Sequence, residues 1–489
     1  YLTSYKIRSL HVFWHNDTTI IIRDENPERK GMGAKQQIYT AGVLYYTVLE
    51  IRTDFRKGRQ EDVMERNDPR YQAYVEILKE ELIPAMGCTE PIALAYAAAK
   101  AREVLGVLPD SVQLQVSGSI IKNVKSVIVP NTGHLKGMEA AVAAGIIAGS
   151  AEKELEVISE VSEEKKSAIR DYLQTVPITI EHTEQGRVFD IVVTERCGQD
   201  YARVRIADYH TNICRIEKNG TVLYEVPLLD ETVQEDARAD RSLLNMQDIW
   251  DFAETADLRD VADLLERQIR YNNAIAEEGL LGDYGANIGR VLLTTYGNDV
   301  SNRAKAKAAA GSDARMNGCE LPVIINSGSG NQGITCSVPL IEYAKELHSG
   351  KEKLYRALII SNLVAIHEKT GIGTLSAYCG AVSAGAGAGA GIVYLCGDGY
   401  QAAIHTVVNA LAIVSGIVCD GAKASCAAKI ASSVDAALLG YNMYKCNQEF
   451  KGGDGIVMKD IETTIKGIGR LGKDGMRQTN EEIIRLMMS

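Results

Sequence analysis

From about Asp68 to Gly106 apolar residues return at helical spacing, with Tyr74, Ile77, Leu78 and Leu82 three or four positions apart or adjacent on one face. Asp68 is placed to cap this helix and Pro69 to open it. The stretch PAMGCTEP interrupts the pattern: Pro84 and Gly87 mark a break and Pro91 stands near the start of a second helix, which predicts Cys88 at a helix entrance. Between about 107 and 243 the period changes. VQLQVSG, SVIVP, ITIEHT, FDIVVTE, ARVRIA and TVLYEV alternate as strands do, while MEAAVAAGIIAG and EKKSAIRDYLQ read as helices. Beyond about Met246 the pattern is helical almost to the end. The expected fold is α+β: a mainly helical domain built from 64–106 and 244–489, with a smaller α/β-type domain inserted over 107–243.

Residues 1–63 carry no clear periodicity, begin with Tyr1 and hold Trp14, one of two tryptophans in the chain. The well-formed pattern starts near Met64. Residues 1–63 are therefore expected to be an upstream or non-native extension, with the native start at or near Met64.

Composition narrows the function classes. A chain of 489 residues with 46% apolar and 24% charged residues is an ordinary globular balance, able to bury a large core. Its net charge of -11, with scattered Lys and Arg, opposes nucleic acid or an anionic membrane as partner. Ten cysteines are too few for a secreted disulfide framework, and no signal-peptide pattern opens the chain, so a reducing cytoplasm is expected.

One stretch bears on the membrane question directly. Between Thr370 and Cys419 only Asp398 is formally charged, long enough for two spans. The alternating Gly and Ala of SAGAGAGAG supply little hydrophobicity, His405 and Asn409 interrupt the next helical stretch, and no Lys/Arg clusters or aromatic belts flank the region. The expectation is buried helices whose small side chains let backbones, or a cofactor, come close.

Candidate chemistry lies beside that stretch. Cys379, Cys419 and Cys426 stand 40 and then 7 residues apart, without the tight pairs of ferredoxins or zinc ribbons, so spacing alone leaves two readings open. They are ligands for a soft metal, or they are buried thiols packing as small hydrophobes. Cys88 at a helix N-terminus has a thiolate favoured by the helix dipole, fit for a base, a nucleophile or a further ligand. NSGSGNQG at 326–333 reads as a polar, Gly-rich loop, a plain turn or a cradle for a carboxylate or ammonium. It has neither a dinucleotide nor a P-loop fingerprint. SGSIIKNVKSVIVPNTGHLKG at 117–137 is a second polar cluster that could face the site, with Ser117, Asn123, Asn131, Thr132, Gly133 and His134. His367 and His405 read as satisfied core histidines. Cys336 and Cys396 lie near the motifs without a role.

Four motifs in order, GCTEPIALAYAAAKA at 87–101, NSGSGNQGITCSVPLI at 326–341, YCGAVSAGAGAGAGI at 378–392 and CDGAKASCAAKI at 419–430, resemble the L-cysteine desulfidase family. That family is similar in turn to the iron–sulfur L-serine dehydratase alpha chain. The resemblance runs from about Asp68 to the C-terminus. It implies a 4Fe-4S cluster held by Cys379, Cys419 and Cys426, with one iron left open to act as a Lewis acid on substrate. It implies that Cys88 belongs to the active site, as base or fourth ligand, with Thr89, Glu90, Ser327, Gly328, Ser329, Asn331 and Gln332 around a small amino acid. The chain departs from the dehydratases in one respect: Cys419 and Cys426 stand closer together here. The implied reaction is β-elimination of L-cysteine to sulfide, ammonia and pyruvate, in an oxygen-sensitive enzyme of cysteine catabolism. No lysine sits in a recognisable pyridoxal phosphate setting, so that cofactor is not expected. L-serine dehydration and a non-catalytic iron–sulfur sensor are the alternatives, and assembly as a homo-oligomer is left open.

Overall fold

The computed structural model describes residues 64–183, 187–228, 239–373 and 375–488, together with four short strands nearer the N-terminus. The chain divides into two compact units, Tyr1–Val63 and Met64–Ser489. In the first, β1 (Ser4–Ile7), β2 (Leu10–His15), β3 (Thr19–Asp24) and β4 (Gln37–Thr40) form an antiparallel sheet in sequence order. The rest of 1–63, on which the expectation of an upstream extension falls, lies outside the described residues.

The second unit opens with α1 (Pro69–Glu81), where the Asp68 carboxylate accepts from the Arg70 N–H and Pro69 takes the first turn. A three-residue strand, β5 (Pro84–Met86), leads through Gly87 to α2 (Thr89–Leu105), whose N-cap is Cys88. Next come β6 (Ser111–Val116), α3 (Gly118–Val124), α4 (Gly137–Ala148), α5 (Glu163–Thr175), β7 (Ile178–His182), β8 (Asp190–Cys197), β9 (Asp200–Ala207), β10 (Ile213–Lys218) and β11 (Thr221–Glu225). The six strands make one sheet in the order β11-β10-β9-β8-β6-β7, antiparallel except where β7 returns parallel to β6. Alternation in β6 puts Val112, Leu114 and Val116 in the core, and α2 lies across β8 and β9.

One expectation needs correcting here. SVIVP is not a strand; it holds a single bridge, Ile128 to Lys136. Within the polar stretch from 117, SIIKNV buries Ile120, Ile121 and Val124 as the short helix α3. ICRIEK, which the alternation did not single out, is the strand β10.

The remainder is helical: α6 (Met246–Thr255), α7 (Ala262–Leu281), α8 (Ile288–Tyr296), α9 (Val300–Met316), then β12 (Pro322–Ile324), α10 (Gly330–Glu346), α11 (Lys351–Ile372), α12 (Gly380–Cys396), α13 (Tyr400–Val414), α14 (Ser425–Lys445), α15 (Ile461–Arg470) and α16 (Arg477–Met488). The fold is α+β and mainly helical, as the pattern predicts. The Gly/Ala helix α12 is its centre, packed against α10, α11, α13 and α14. A Cβ on Gly387 would lie 2.4 Å from the Ser361 carbonyl of α11, and one on Gly385 2.8 Å from Ser433 of α14. The small residues thus allow helix backbones to touch on opposite sides of α12. Among the described residues no helix is long and apolar enough to cross a membrane.

Candidate active site

Two short backbone ladders put the motifs where they meet. β5 pairs antiparallel with β12, Pro84 opposite Ile324 and Met86 opposite Pro322, so the turn carrying Cys88 and the turn carrying Asn326–Ser329 issue from one small sheet. Tyr378 bridges Val418, the Cys379 N–H donates to the Ile417 carbonyl at 3.1 Å and the Cys419 N–H donates to the Ala377 carbonyl at 2.6 Å. Cys379 and Cys419 are thereby held side by side across 40 residues of chain. Cys426 enters from the first turn of α14, its thiol directed back to the Gly421 carbonyl at 3.6 Å.

The motif segments then close into a ring of contacts. The Thr89 hydroxyl donates to the Gly328 carbonyl at 3.0 Å, joining GCTEP to the polar loop. The loop meets the first cysteine at Gly380, where a Cβ would fall 2.6 Å from the Gln332 amide. On the far side Gly421, at φ +94°, lets its backbone lie against the Lys122 carbonyl, which a Cβ would approach to 2.2 Å. Asn123, next in the chain, donates to Glu90 Oε1 at 2.9 Å and completes the circuit.

NSGSGNQG is a turn only in its first half. Asn326 and Ser329 exchange backbone hydrogen bonds, Ser327 takes φ +48°, and the helix α10 begins at Gly330. Ser327 donates to Asn326 Oδ1 at 2.9 Å, and Asn331 accepts from Arg315 at 3.1 Å. Ser329 caps α10 without a side-chain bond, and Gln332 Oε1 is buried with no partner. Gln332 therefore has a free acceptor facing the ring.

Electrostatics divide the ring into two halves. On the α2 side Glu90 is enclosed: Oε2 accepts from the Cys88 thiol at 3.0 Å and Oε1 from Asn123. Burial would raise this carboxyl, but His210, the Cys88 thiol and its own backbone N–H outweigh it and hold it below the ordinary carboxylate range. The Cys88 thiol moves the other way, pushed well up by burial and then by the Glu90 carboxylate, against a weaker pull from Arg315. The helix dipole does not prevail here: Cys88 is a thiol donating to an ionised carboxylate. On the cysteine side burial, and then Cys419, pushes Cys379 up to about 12, and burial with Cys419 also raises Cys426. Lys122, buried, and Lys369, half-buried, stand near these thiols, the Lys122 ammonium donating to Asn480 at 2.6 Å and that of Lys369 to the Gly373 carbonyl. Burial lowers both, Lys369 to about 8, while Cys419 and Cys379 pull each back toward the charged form.

Among the described residues no three His, Cys, Asp or Glu side chains converge on a point where one metal ion would sit. A cubane does not ask for that, since each thiolate holds a different iron and the sulfurs stand apart. Three half-buried thiols grouped in one niche, with Lys122, Lys369 and Lys429 at hand to offset thiolate charge, fit such a cluster.

Other candidates are consumed elsewhere. Ser117 donates to the Val188 carbonyl at 2.7 Å, Asn131 to that of Ile158 at 2.8 Å, and Thr132 to that of Val129 at 2.7 Å. Of the second polar cluster only Asn123, with its neighbour Lys122, reaches the ring. His367 pairs with Glu462 at 2.8 Å and His405 with Glu449 at 2.6 Å. Lys122, Lys369, Arg315 and His210 carry no signal in the sequence. No motif marks them, and burial of a lysine or the aim of a turn histidine is a tertiary property.

The serine dehydratase alpha chain family matches residues 152–485, more than half of the chain. The chain belongs to that family. Membership places it among lyases of the iron–sulfur ammonia-lyase type. The chain is also similar to a UPF0597 protein of Desulfitobacterium hafniense (strain Y51), 61% identical over 87% of this chain and 99% of that one. A UPF0597 protein of Lachnoclostridium phytofermentans is 52% identical over 86% and 100%, and one of Treponema denticola 46% identical over 87% and 100%. This member of the serine dehydratase alpha family thus covers nearly the whole length of each of these relatives.

Proposed function

We propose that the protein is an L-cysteine desulfidase that eliminates sulfide from L-cysteine and leaves ammonia and pyruvate. The observation that carries this reading is the ring itself: a soft three-thiol niche, two lysines beside it, a polar loop with a free amide oxygen, and an ionised carboxylate on a thiol, all on one circuit. Cys379, Cys419 and Cys426 would hold a 4Fe-4S cluster, which when bound supplies a Lewis-acidic iron for the departing sulfur.

The chain's own groups supply the rest. Thr89, Ser327, Gly328, Ser329, Asn331 and Gln332 shape the bed of a small amino acid, and Lys122 and Lys369 offer positive charge to its carboxylate. Cys88 and Glu90 act together as the proton acceptor for Cα–H. Glu90 is the ionised member, and Cys88 passes a proton to it as it takes one. The assignment gives the chemistry to 64–106 and 244–489, with the inserted segment 107–243 contributing Lys122, Asn123 and His210. The family's description favours one second reading, L-serine dehydration with the same residues, hydroxide leaving in place of sulfide.

Anaerobic purification with iron and sulfide reconstitution, followed by assay of sulfide from cysteine and pyruvate from serine, tests both. Faster turnover of cysteine supports the desulfidase and faster turnover of serine the dehydratase. An intact cluster without either product overturns the enzymatic reading, and a colourless, iron-free protein overturns the cluster.

A further inference from the structure

Glu90 is approached by four groups, and one contact is unfinished. Oε2 lies 3.0 Å from the Cys88 thiol and 3.2 Å from the Thr89 hydroxyl, and Oε1 takes the Asn123 amide at 2.9 Å. The remaining neighbour of Oε1 is His210, whose Nε2 stands 3.9 Å away, buried and, among the described residues, without a hydrogen-bond partner. At that distance no hydrogen bond is formed, and no water fits between. A buried ring nitrogen normally has a partner, so this one is kept free at some cost.

The ring is nevertheless held. His210 lies in the turn between β9 and β10, edge-on to Phe189 with centroids 4.7 Å apart. Its Cε1 faces Gly328, where a Cβ would come within 3.3 Å. Phe189 and the polar loop thus fix the imidazole, and its side chain keeps 14% exposure, within reach of water. Small closure of the loop on a substrate would bring Nε2 into bonding range of Glu90.

We propose that His210 is a positioning and proton-relay residue, acting through Glu90 to connect the Cys88–Glu90 pair to solvent. The inference rests on the elimination reading above. The Cα–H bond breaks and its electron pair forms the Cα–Cβ double bond, as the Cβ–S bond breaks with its pair leaving on sulfur. Cys88 takes the proton as its thiol proton passes to Glu90 Oε2, the carboxyl turns to hand that proton to His210 Nε2, and the imidazole releases one from Nδ1 to water. No oxidant or reductant enters.

The test uses the full chain, reconstituted anaerobically, as wild type, His210→Gln and His210→Ala, with iron content and melting temperature checked for each. His210→Gln should lower kcat for the better of cysteine and serine roughly ten- to hundredfold with KM within about twofold. His210→Ala should be equally slow and recover at least about tenfold in rising imidazole, which should not speed the wild type. A second readout needs no leaving group: exchange of the Cα proton of L-alanine with D2O, followed by NMR, should slow in His210→Gln. Unaltered kcat and exchange in His210→Gln, or an alanine variant that imidazole does not restore, overturns the relay. A wild type that neither eliminates nor exchanges overturns the elimination reading itself, and the relay with it.

Discussion

Among the described residues, two helices begin on a cysteine. Cys88 caps α2 at φ -77° and ψ 134°, Cys379 caps α12 at φ -75° and ψ 118°, and neither side chain makes a capping bond. Both thiols sit at the positive end of a long helix, and burial raises both. What differs is the neighbour. Two residues after Cys88 comes Glu90, which turns back to accept from the thiol at 3.0 Å. Around Cys379 stand two further thiols, with Lys429 as an opposing positive charge. The same backbone device therefore yields a hydrogen-bonded thiol in one place and a niche that a metal would deprotonate in the other. Surroundings, and not the helix end, assign the chemistry.

The strongest way to break this comparison is to remove each sulfur in turn. Cys379→Ser should abolish cluster binding, read as lost iron and lost visible absorbance after anaerobic reconstitution, and with it all turnover. Cys88→Ser should keep its iron and lose roughly 10²- to 10⁴-fold in kcat, the range for a positioned acid–base group. If Cys88→Ser also lost iron, Cys88 would be a ligand and the two helix starts would do one job.

Glu90→Gln probes the neighbour itself. The folded carboxyl is held below its ordinary value of 4.5, so its stabilisation is complete above pH 4.5 and is lost as pH falls through the lowered value. Denaturant unfolding at pH 5 and near pH 2 should show the wild type losing more stability than Glu90→Gln, other carboxylates cancelling. Equal losses would mean that Glu90 is not held ionised beside Cys88.

Much of this was legible before any fold. Asp68 and Pro69 announced α1, the proline and glycine of PAMGC announced the break before α2, and the small residues of 380–391 announced a helix buried among helices. The state of Cys88 was not legible, because the dipole rule reads the backbone and not the side chain two residues on. Nor was α3, whose seven residues carry too few apolar positions for periodicity to show. His210 and Lys122 are harder still. Each reaches the ring from a segment whose local pattern speaks only of a turn or a polar stretch, and their aim is decided by how the sheet and α3 pack.

Backbone seating is the finest distinction between the two cysteine helices. α12 supplies its own glycines, and a Cβ on Gly387 would stand 2.4 Å from the Ser361 carbonyl. α2 instead rests on a glycine of its neighbour α4, since a Cβ on Gly145 would stand 2.1 Å from the Ala95 carbonyl. In both cases the obstacle is backbone, which cannot swing aside, so Gly387→Ala and Gly145→Ala should each cost about 1–3 kcal/mol in unfolding free energy. Their effects on function should part. Gly387→Ala moves the helix that carries Cys379 and should lower iron retention, whereas Gly145→Ala moves the helix behind Cys88 and should leave iron in place while lowering kcat. Iron-to-protein ratio and kcat measured on both variants decide it, and equal iron loss in the two would mean that α2 and α12 shift as one body.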